Sequence, residues 1–195
     1  MDDPVAVLDF WLGEVGPDGW YAGGEALDAM CRERFADLWQ AARDGGLEHW
    51  VAGAAPTLAF LILTDQLPRN MHRGKALAFA TDHLALAAAR RAVDEGWDLD
   101  APEPERQFFY MPFEHAESPA DQTRAVRLMT ERLPLDPEMA LHARAHHKII
   151  TRFGRVPGRN AALGRISTPE EAAFLADGGY GAVVRSLQAS HAGPE

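Results

Sequence analysis

Residues 57–67 (TLAFLILTDQL) are apolar almost all round a helical wheel. This pattern is typical of a helix that is buried on every side, rather than one with a solvent-facing stripe. Pro68 follows directly and marks the region where we expect the helix to end, because a residue before proline avoids the helical conformation. The stretch therefore predicts a buried helix.

The rest of the chain carries the sequence signals of further helices. Residues 25–44 carry apolar side chains at intervals of three and four, which predicts an amphipathic helix. Residues 75–95 predict a long Ala-rich helix, and Thr168-Pro169-Glu170-Glu171 is a capping box that opens another. We also predict helices at residues 5–13, 119–133, 137–153 and 169–176, a loop at 14–24, and an irregular connection or short helix at 97–117. Because no convincing strand pattern is present, the predicted fold class is all-α, with six or seven helices in antiparallel hairpins.

Length and composition indicate a single all-helical domain over residues 1–195, with a short disordered tail from about residue 188. The net charge of −10 opposes non-specific binding to nucleic acid or to an anionic membrane. The only cysteine, Cys31, excludes an internal disulfide and a cysteine-based zinc cluster. The N-terminus is acidic without an apolar stretch, and no apolar run is long enough to span a bilayer. We therefore expect a cytoplasmic protein without nucleic-acid or membrane partners.

The segment DQLPRN, residues 65–70, places polar groups on a buried face. Asp65 lies one turn beyond Leu61 and Ile62, near a helix C-terminus where the helix dipole disfavours a carboxylate. A buried carboxylate needs a cation or several donors, and Arg69 is the nearest candidate. The segment is either part of a functional site or a structural salt bridge between a helix end and a neighbour, and the salt bridge is favoured.

A second segment, RFGRVPGRNAALGR at residues 152–165, concentrates arginine. Its four arginines have no acid between them, although the chain is strongly acidic: Arg152, Arg155, Arg159 and Arg165. Guanidinium groups bind carboxylate or phosphate with paired hydrogen bonds, so the segment indicates an anion site. The alternative is that these arginines neutralise buried carboxylates. The pattern Pro157-Gly158-Arg159-Asn160 is also similar to Pro68-Arg69-Asn70. Two interpretations are open: the same helix-capping arrangement occurs twice, or the two segments line one pocket from two sides.

Histidines form the third and fourth candidates. His142 and His146 are four residues apart, which places both on one helix face and permits zinc binding. The metalloprotease pattern needs Glu after the first histidine, where Ala143 stands, so a hydrogen-bonded histidine without metal is favoured. We predict no metal and no cofactor. In YMPFEHAES, residues 110–118, His115 lies between Glu114 and Glu117 among aromatic residues, which suits an acid–base group.

Taken together, these segments resemble the bacterial family called domain of unknown function 924. The resemblance rests on DQLPRN with Arg73-Gly74, AFATD at 78–82, YMPFEH-x-E at 110–117, and H-x3-I-x-RFGR-x-P-x-RN at 146–160 with LGR-x-STPEE at 163–171. It covers about residues 7–175 and implies an all-helical, tetratricopeptide-like right-handed array, without implying an activity. The family's motif residues carried over to this chain are Asp65, Gln66, Arg69, Asn70, Arg73, Asp82, His115, Glu117, His146, Arg152, Arg155, Arg159 and Asn160. The chain departs from the family pattern at Gly158, where histidine is usual, and at Ala116, where serine is common.

Three functions remain open from the sequence, and whether the protein is an enzyme is among the open points. The leading hypothesis is binding of a small anionic or phosphate-bearing metabolite in a pocket lined by Asp65, Arg69, Asn70, Arg73, Arg152, Arg155, Arg159 and Asn160. The second is a peptide- or protein-binding module of tetratricopeptide-like type, an analogy from fold alone. The third is a hydrolase or another enzyme with a histidine general base, for which the catalytic candidates are His115, His146 and Glu117. Alternatively, the motif residues form a structural ion-pair network.

Overall fold

The computed structural model describes residues 3–191, and every regular element in that range is helical. The α-helices are α1 (Pro4–Leu8), α2 (Gly16–Trp20), α3 (Glu25–Arg43), α4 (Ala54–Leu61), α5 (Leu67–Met71), α6 (Asp82–Asp94), α7 (Met111–His115), α8 (Pro119–Arg132), α9 (Pro137–Phe153), α10 (Pro169–Ala176) and α11 (Gly179–His191). Two π-helical segments, Asp9–Val15 and Ile62–Gln66, join α1 to α2 and α4 to α5. The all-α prediction is confirmed, while the tetratricopeptide-like array stays a prediction.

Short 3-10 turns connect several of these helices. They lie at Glu48–Trp50, Ala76–Phe79, Trp97–Asp100, Glu105–Phe109 and Pro157–Arg159. The irregular connection or short helix predicted for 97–117 is confirmed, since two of these turns and α7 fall within it. Across residues 3–191, no helix combines the length and the apolar character needed to cross a bilayer.

The chain divides into two compact units at the Pro112–Phe113 bond. In the first unit, the buried helix predicted at 57–67 is confirmed, because residues 57–68 are all buried. Helix α4 packs against α1 and α6, and α5 packs against α3. Large aromatic side chains fill this core, including Phe10, Trp11, Phe35, Trp39 and Phe108. The single domain over residues 1–195 stays a prediction.

The sequence predicted that the buried helix ends at Pro68. The helix does not end there, because α5 continues to Met71. Proline has no N–H, so it cannot donate to the carbonyl of Thr64 four residues earlier. The side chain of Thr81 supplies the missing donor, and its hydroxyl lies 2.6 Å from Thr64 O. The backbone is π-helical over Ile62–Gln66, immediately before the proline. The helical path passes Pro68 directly after a π-helical segment, and a distant hydroxyl donates to the Thr64 carbonyl, to which the proline cannot donate.

The long Ala-rich helix predicted at 75–95 begins only at Asp82. Residues 76–79 form a 3-10 turn instead, and two tertiary hydrogen bonds hold the region apart from the helix. Thr81 donates to Thr64 O, and Arg69 Nη1 donates to Ala78 O at 2.8 Å. Tertiary contacts therefore override the high helix propensity of alanine.

The predicted loop at 14–24 was also wrong in part. Helix α2 occupies Gly16–Trp20, with Pro17 in its first turn, a position where proline favours a helix. Trp20 is buried, and its indole Nε1 donates to Trp11 O at 2.7 Å. A buried indole at the end of a short Gly- and Pro-rich stretch thus anchors a helical turn that composition alone does not predict.

The second unit is built on α8 and α9, which confirm the helices predicted at 119–133 and 137–153. They are joined by a short connection and pack along each other, and α11 packs on α9. The predicted capping box is confirmed at α10, where Thr168 Oγ1 accepts from the Glu171 N–H at 3.2 Å. The disordered tail predicted from residue 188 is wrong for residues 188–191, which belong to α11. Residues 192–195 lie outside the described range.

Replacing Thr81 with valine tests how the chain passes Pro68. Thr81 also accepts from Trp39 Nε1 at 3.1 Å and is fully buried, so Thr81→Val removes the partners of two buried groups. We expect a loss of about 2–4 kcal/mol in the free energy of unfolding, measured by urea denaturation. Thr151→Val, at an exposed position of α9, is the matched control and should change it by less than about 0.5 kcal/mol. Equal effects of the two substitutions would contradict this account.

Candidate functional site

The first predicted segment forms an ion-pair cluster in the first unit. Asp65 is 1% exposed, and its Oδ1 lies 3.2 Å from Arg69 Nη2. The same Nη2 lies 3.0 Å from Asp82 Oδ1 at the start of α6, and Gln66 Nε2 donates to Asp65 Oδ2. Arg69 thus joins the end of the buried helix path to α6. A salt bridge between a helix end and a neighbour is therefore present, as the sequence favoured, while a role of the segment in a functional site stays a prediction.

Arg73 makes a second ion pair in the same unit. Its Nε and Nη2 donate to the two carboxylate oxygens of Asp28 on α3, both at 2.8 Å, and Nη2 also donates to Asn70 Oδ1 at 3.0 Å. Asp28 is 7% exposed and was missed by the sequence analysis, although it lies one turn before the buried Cys31. Burial, with Asp28 nearby, raises the pKa of the Cys31 thiol to about 11, so this thiol is unreactive at neutral pH.

In the second unit, Arg155 binds Glu171 with a paired hydrogen bond. Arg155 Nε lies 2.6 Å from Oε1, and Nη2 lies 2.7 Å from Oε2. Glu171 also accepts from the Thr168 N–H at 2.7 Å and from Asn160 Nδ2 at 3.3 Å. The guanidinium of Arg155 and these donors lower the pKa of Glu171 to about 2. The arginine and the asparagine proposed as ligand groups both contact one buried carboxylate.

Glu117, a catalytic candidate from the sequence, is held by another arginine. Arg165 Nη1 and Nη2 donate to its two oxygens at 2.9 and 2.8 Å, and the Val156 N–H donates to Oε1 at 2.9 Å. Burial raises the pKa of Glu117, but the hydrogen bonds from Arg165 and Val156 outweigh it, and the net pKa is lowered; the charge of Arg159 adds to the lowering. Glu117 is therefore a stabilised carboxylate, which suits an ion pair better than proton transfer.

Arg152 is the most exposed of these ion-paired arginines in the second unit. Its Nε lies 2.9 Å from Glu170 Oε1, and the two side chains are 53% and 61% exposed. Its guanidinium also lies over the rings of Phe153 and Phe174, at 4.7 and 5.9 Å. This is a surface ion pair on an aromatic support.

The echo between the two Arg-Asn segments does not extend to their contacts. Asn70 accepts from Arg73 through its oxygen, whereas Asn160 donates through Nδ2 to Glu171 and, at 3.0 Å, to Ser167 Oγ. Each asparagine supports an ion pair within its own unit. The two segments therefore share residue types but form different hydrogen-bond arrangements.

Five side chains of the second unit form what we call the histidine cluster: Glu114, His115, His142, His146 and Tyr180. His146 Nε2 lies 3.1 Å from Glu114 Oε1, and the two side chains are 17% and 5% exposed. The His115 ring meets His146 edge-on at 6.2 Å, and the Tyr180 ring lies 4.8 Å from it. The Tyr180 hydroxyl is hydrogen-bonded to His142 Nδ1, and these two rings are stacked at 6.0 Å. Acid–base groups thus adjoin one another here, in contrast to the arginine ion pairs.

Local structure places each member of the cluster. The predicted i, i+4 spacing puts His142 and His146 on one face of α9, while α7 carries Glu114 and His115. Gln122, fully buried on α8, holds the end of α7 by donating from Nε2 to Glu114 O at 2.5 Å and to Ala116 O at 2.7 Å. His147 points elsewhere, toward Thr123 Oγ1 at 3.3 Å. In the part of the chain that the structure describes, no group of three or more His, Cys, Asp or Glu could hold a metal ion.

A separate apolar groove lies on the same unit. It has a volume of about 570 Å³ and is lined mainly by α8, α9 and their connection, including Met129, Leu133, Pro137, Ala140 and Leu141. Arg144 and Gln188 contribute polar groups to its lining. The sequence analysis did not predict it, because its residues have ordinary helical spacing.

Comparison with known proteins gives a family and a related structure. Residues 7–179 match the family described as bacterial protein of unknown function, DUF924. A solved structure of the protein of unknown function ATU0120 from Agrobacterium tumefaciens is 42% identical, with a TM-score of 0.82 over 88% of this chain and 96% of that one. Among curated proteins, none matches the chain.

The ion pairs differ in burial, and this difference predicts different costs of removal. Arg69→Met takes a guanidinium from Asp65, which is almost fully buried, and we expect it to lower the free energy of unfolding by about 3–5 kcal/mol. Arg152→Met is the matched control. It removes an exposed ion pair and should cost less than about 1 kcal/mol. Urea denaturation measures both values, and a cost at Arg152 as large as that at Arg69 would show that burial does not decide the effect.

The lowered pKa of Glu171 predicts a pH dependence of stability. Because the pKa is about 2 in the folded protein and ordinarily 4.5, the contribution of the carboxylate is fully present above pH 4.5 and is lost as the pH falls from 4.5 towards 2. Denaturation of the wild type and of Glu171→Gln should therefore show a larger stability difference at pH 7 than at pH 3. Glu170→Gln, at the exposed neighbouring position, should give a small difference at both. A Glu171→Gln effect that does not change with pH would contradict the ion-pair assignment.

Proposed function

We propose, for a chain that belongs to the bacterial family of unknown function DUF924, that the histidine cluster is a site of acid–base chemistry on a small polar substrate, with His146 as the general base. The family description gives no activity, so the proposal rests on the geometry of the site. The observation that carries it is the 3.1 Å contact between His146 Nε2 and Glu114 Oε1, at side chains 17% and 5% exposed.

The contact supports the proposal because a carboxylate on one ring nitrogen orients an imidazole and increases its basicity. With Glu114 accepting from Nε2–H, the neutral ring of His146 has its basic lone pair on Nδ1. A carboxylate buried to this extent is costly unless it is hydrogen-bonded to a partner. The pairing of a buried Glu with a histidine is the arrangement in which a base is held in one orientation and one tautomer.

The chemistry that this pair suits is transfer of a proton from water or from the substrate. In the hydrolysis of an ester, His146 would take a proton from the attacking water as the water oxygen bonds to the carbonyl carbon. The bond from that carbon to the leaving oxygen would then break, and the proton would pass from His146 to that oxygen. His115, edge-on to His146 at 6.2 Å between ring centroids, is a second imidazole beside the base. These roles develop the third hypothesis of the sequence analysis, and they use His115 and His146 without Glu117.

Anion binding by the arginine set receives less support from the contacts. The guanidinium groups of Arg69, Arg73, Arg152 and Arg155 contact carboxylates, as described above. A carboxylate that contacts a guanidinium neutralises its charge and occupies some of its five donors, which lowers its affinity for an anionic ligand. Binding of an anionic metabolite by these residues stays a prediction.

A peptide-binding module is the second candidate, and the apolar groove on α8 and α9 is the observation that favours it. Peptides commonly place apolar side chains into such grooves. Since the groove lining includes none of the family motif residues named above, the acid–base proposal and the peptide proposal concern different surfaces.

Substitutions in the pair test the acid–base proposal. His146→Gln should lower kcat/KM for hydrolysis of p-nitrophenyl acetate by about 100-fold or more, the contribution typical of a general base. Glu114→Gln, which keeps the shape and removes the charge, should lower it by about tenfold or more. Acylation of His146 by diethyl pyrocarbonate, followed by mass spectrometry, gives a second readout that needs no substrate.

His83→Gln is the control, since His83 is an exposed helical histidine in the first unit. It should leave ester turnover unchanged. Turnover that survives both His146→Gln and Glu114→Gln would overturn the proposal. Lack of any turnover in the wild type, combined with no acylation of His146, would overturn it as well.

A further inference from the structure

We infer that Tyr180 is a further member of this site, acting as a positioning residue that fixes the ring of His142 and packs against the ring of His146. The inference rests on the proposed function and deepens it. Tyr180 was not singled out by the sequence analysis, and the match to the family ends one residue before it, at residue 179.

The first observation is the hydrogen bond between the Tyr180 hydroxyl and His142 Nδ1. The two rings are nearly parallel, with an interplanar angle of 16° and centroids 6.0 Å apart. A hydroxyl bonded to one nitrogen fixes the orientation of an imidazole, and it can do so as donor or as acceptor. Tyr180 therefore constrains the orientation of the His142 ring.

The second observation is the contact of the Tyr180 ring with His146, at 4.8 Å between centroids. The side chains of His146 and Glu114 are 17% and 5% exposed, whereas Tyr180 is 36% exposed and so lies at the solvent side of the cluster. Burial, with the charge of Glu114 nearby, raises the pKa of Tyr180, so its hydroxyl keeps its proton throughout the neutral range.

The third observation is the backbone that delivers this side chain. Gly178 and Gly179 have φ of +97° and +51°, values that side-chain-bearing residues rarely adopt. A Cβ at Gly178 would also lie 3.2 Å from Arg185 Nη2. The two glycines turn the chain from α10 into α11, so that the side chain of Tyr180 reaches α9 at the first turn of α11.

Two substitutions separate the hydroxyl from the ring. Tyr180→Phe keeps the ring and removes the hydroxyl, and Tyr180→Leu removes both. With the side-chain nitrogens of histidine labelled with ¹⁵N, Tyr180→Phe should shift the Nδ1 signal of His142 and leave the signals of His146 in place. Tyr180→Leu should shift the signals of both. Acylation of His142 by diethyl pyrocarbonate should become about fivefold faster in Tyr180→Phe, a factor that corresponds to one ordinary hydrogen bond.

Turnover of p-nitrophenyl acetate provides the functional readout. Tyr180→Leu should lower kcat more than it raises KM, because the position of the base changes rather than substrate affinity. Tyr21→Phe is the matched control, since Tyr21 is an exposed tyrosine of the first unit whose hydroxyl bonds to Gln107. It should change neither the histidine signals nor turnover.

The inference is overturned if Tyr180→Phe leaves the His142 signals and acylation unchanged. It is also overturned if Tyr180→Leu lowers the melting temperature without moving the signals of His146, which is the result expected of packing alone. Failure of the proposed function looks different, because it shows as turnover that survives His146→Gln and Glu114→Gln. The ring-preserving Tyr180→Phe keeps the test decisive if Tyr180→Leu does not fold.

Discussion

A carboxylate that leaves water must meet a cation or enough hydrogen-bond donors, and this requirement shapes both units of the protein. In the first unit, Asp65 meets Arg69, which also binds Asp82. In the second, Glu171 meets Arg155 together with a backbone N–H and an asparagine. The Arg69–Asp82 and Arg155–Glu171 pairs connect segments that are separate in the chain, so they link the ends of different helices. Most of the family motif residues take part in ion pairs of this kind or in hydrogen bonds to them.

The contacts of Glu114 include an imidazole, that of His146, which lies 3.1 Å from Glu114 Oε1. An imidazole can exchange a proton near neutral pH, whereas a guanidinium cannot. The carboxylates of Asp28, Glu117 and Glu171 each accept paired hydrogen bonds from a guanidinium. The imidazole at Glu114 is the reason why the acid–base chemistry is proposed at the histidine cluster.

Sequence patterns predicted the elements whose signals are local. The Ser118, Asp136 and Thr168 positions before proline mark the starts of α8, α9 and α10 correctly. The errors arose where a distant group decides the backbone. The helix continues through Pro68, where the Thr81 hydroxyl donates to Thr64 O. Residues 76–81 lie outside helix α6 because the Thr81 hydroxyl and the Ala78 carbonyl make tertiary hydrogen bonds. No window of sequence contains such information.

The candidate site was predictable to a similar extent. His115 and His146 were identified from residue type and spacing, but their neighbours were not. Tyr180 follows a pair of glycines and has no helical periodicity to place it against α9, and Asp28 resembles any acid on a surface helix. Residue type therefore predicts which groups could do chemistry, while the packing of helices decides which of them meet.

The double use of Glu171 has a consequence for motion in the second unit. The Glu171 carboxylate caps α10 and also binds Arg155, which lies 16 residues earlier in the chain. Neither contact can be released without weakening the other, so the turn that carries Arg155 and the first turn of α10 open together as one cooperative segment. Their amide protons should accordingly exchange with solvent at a common rate, as a single foldon does.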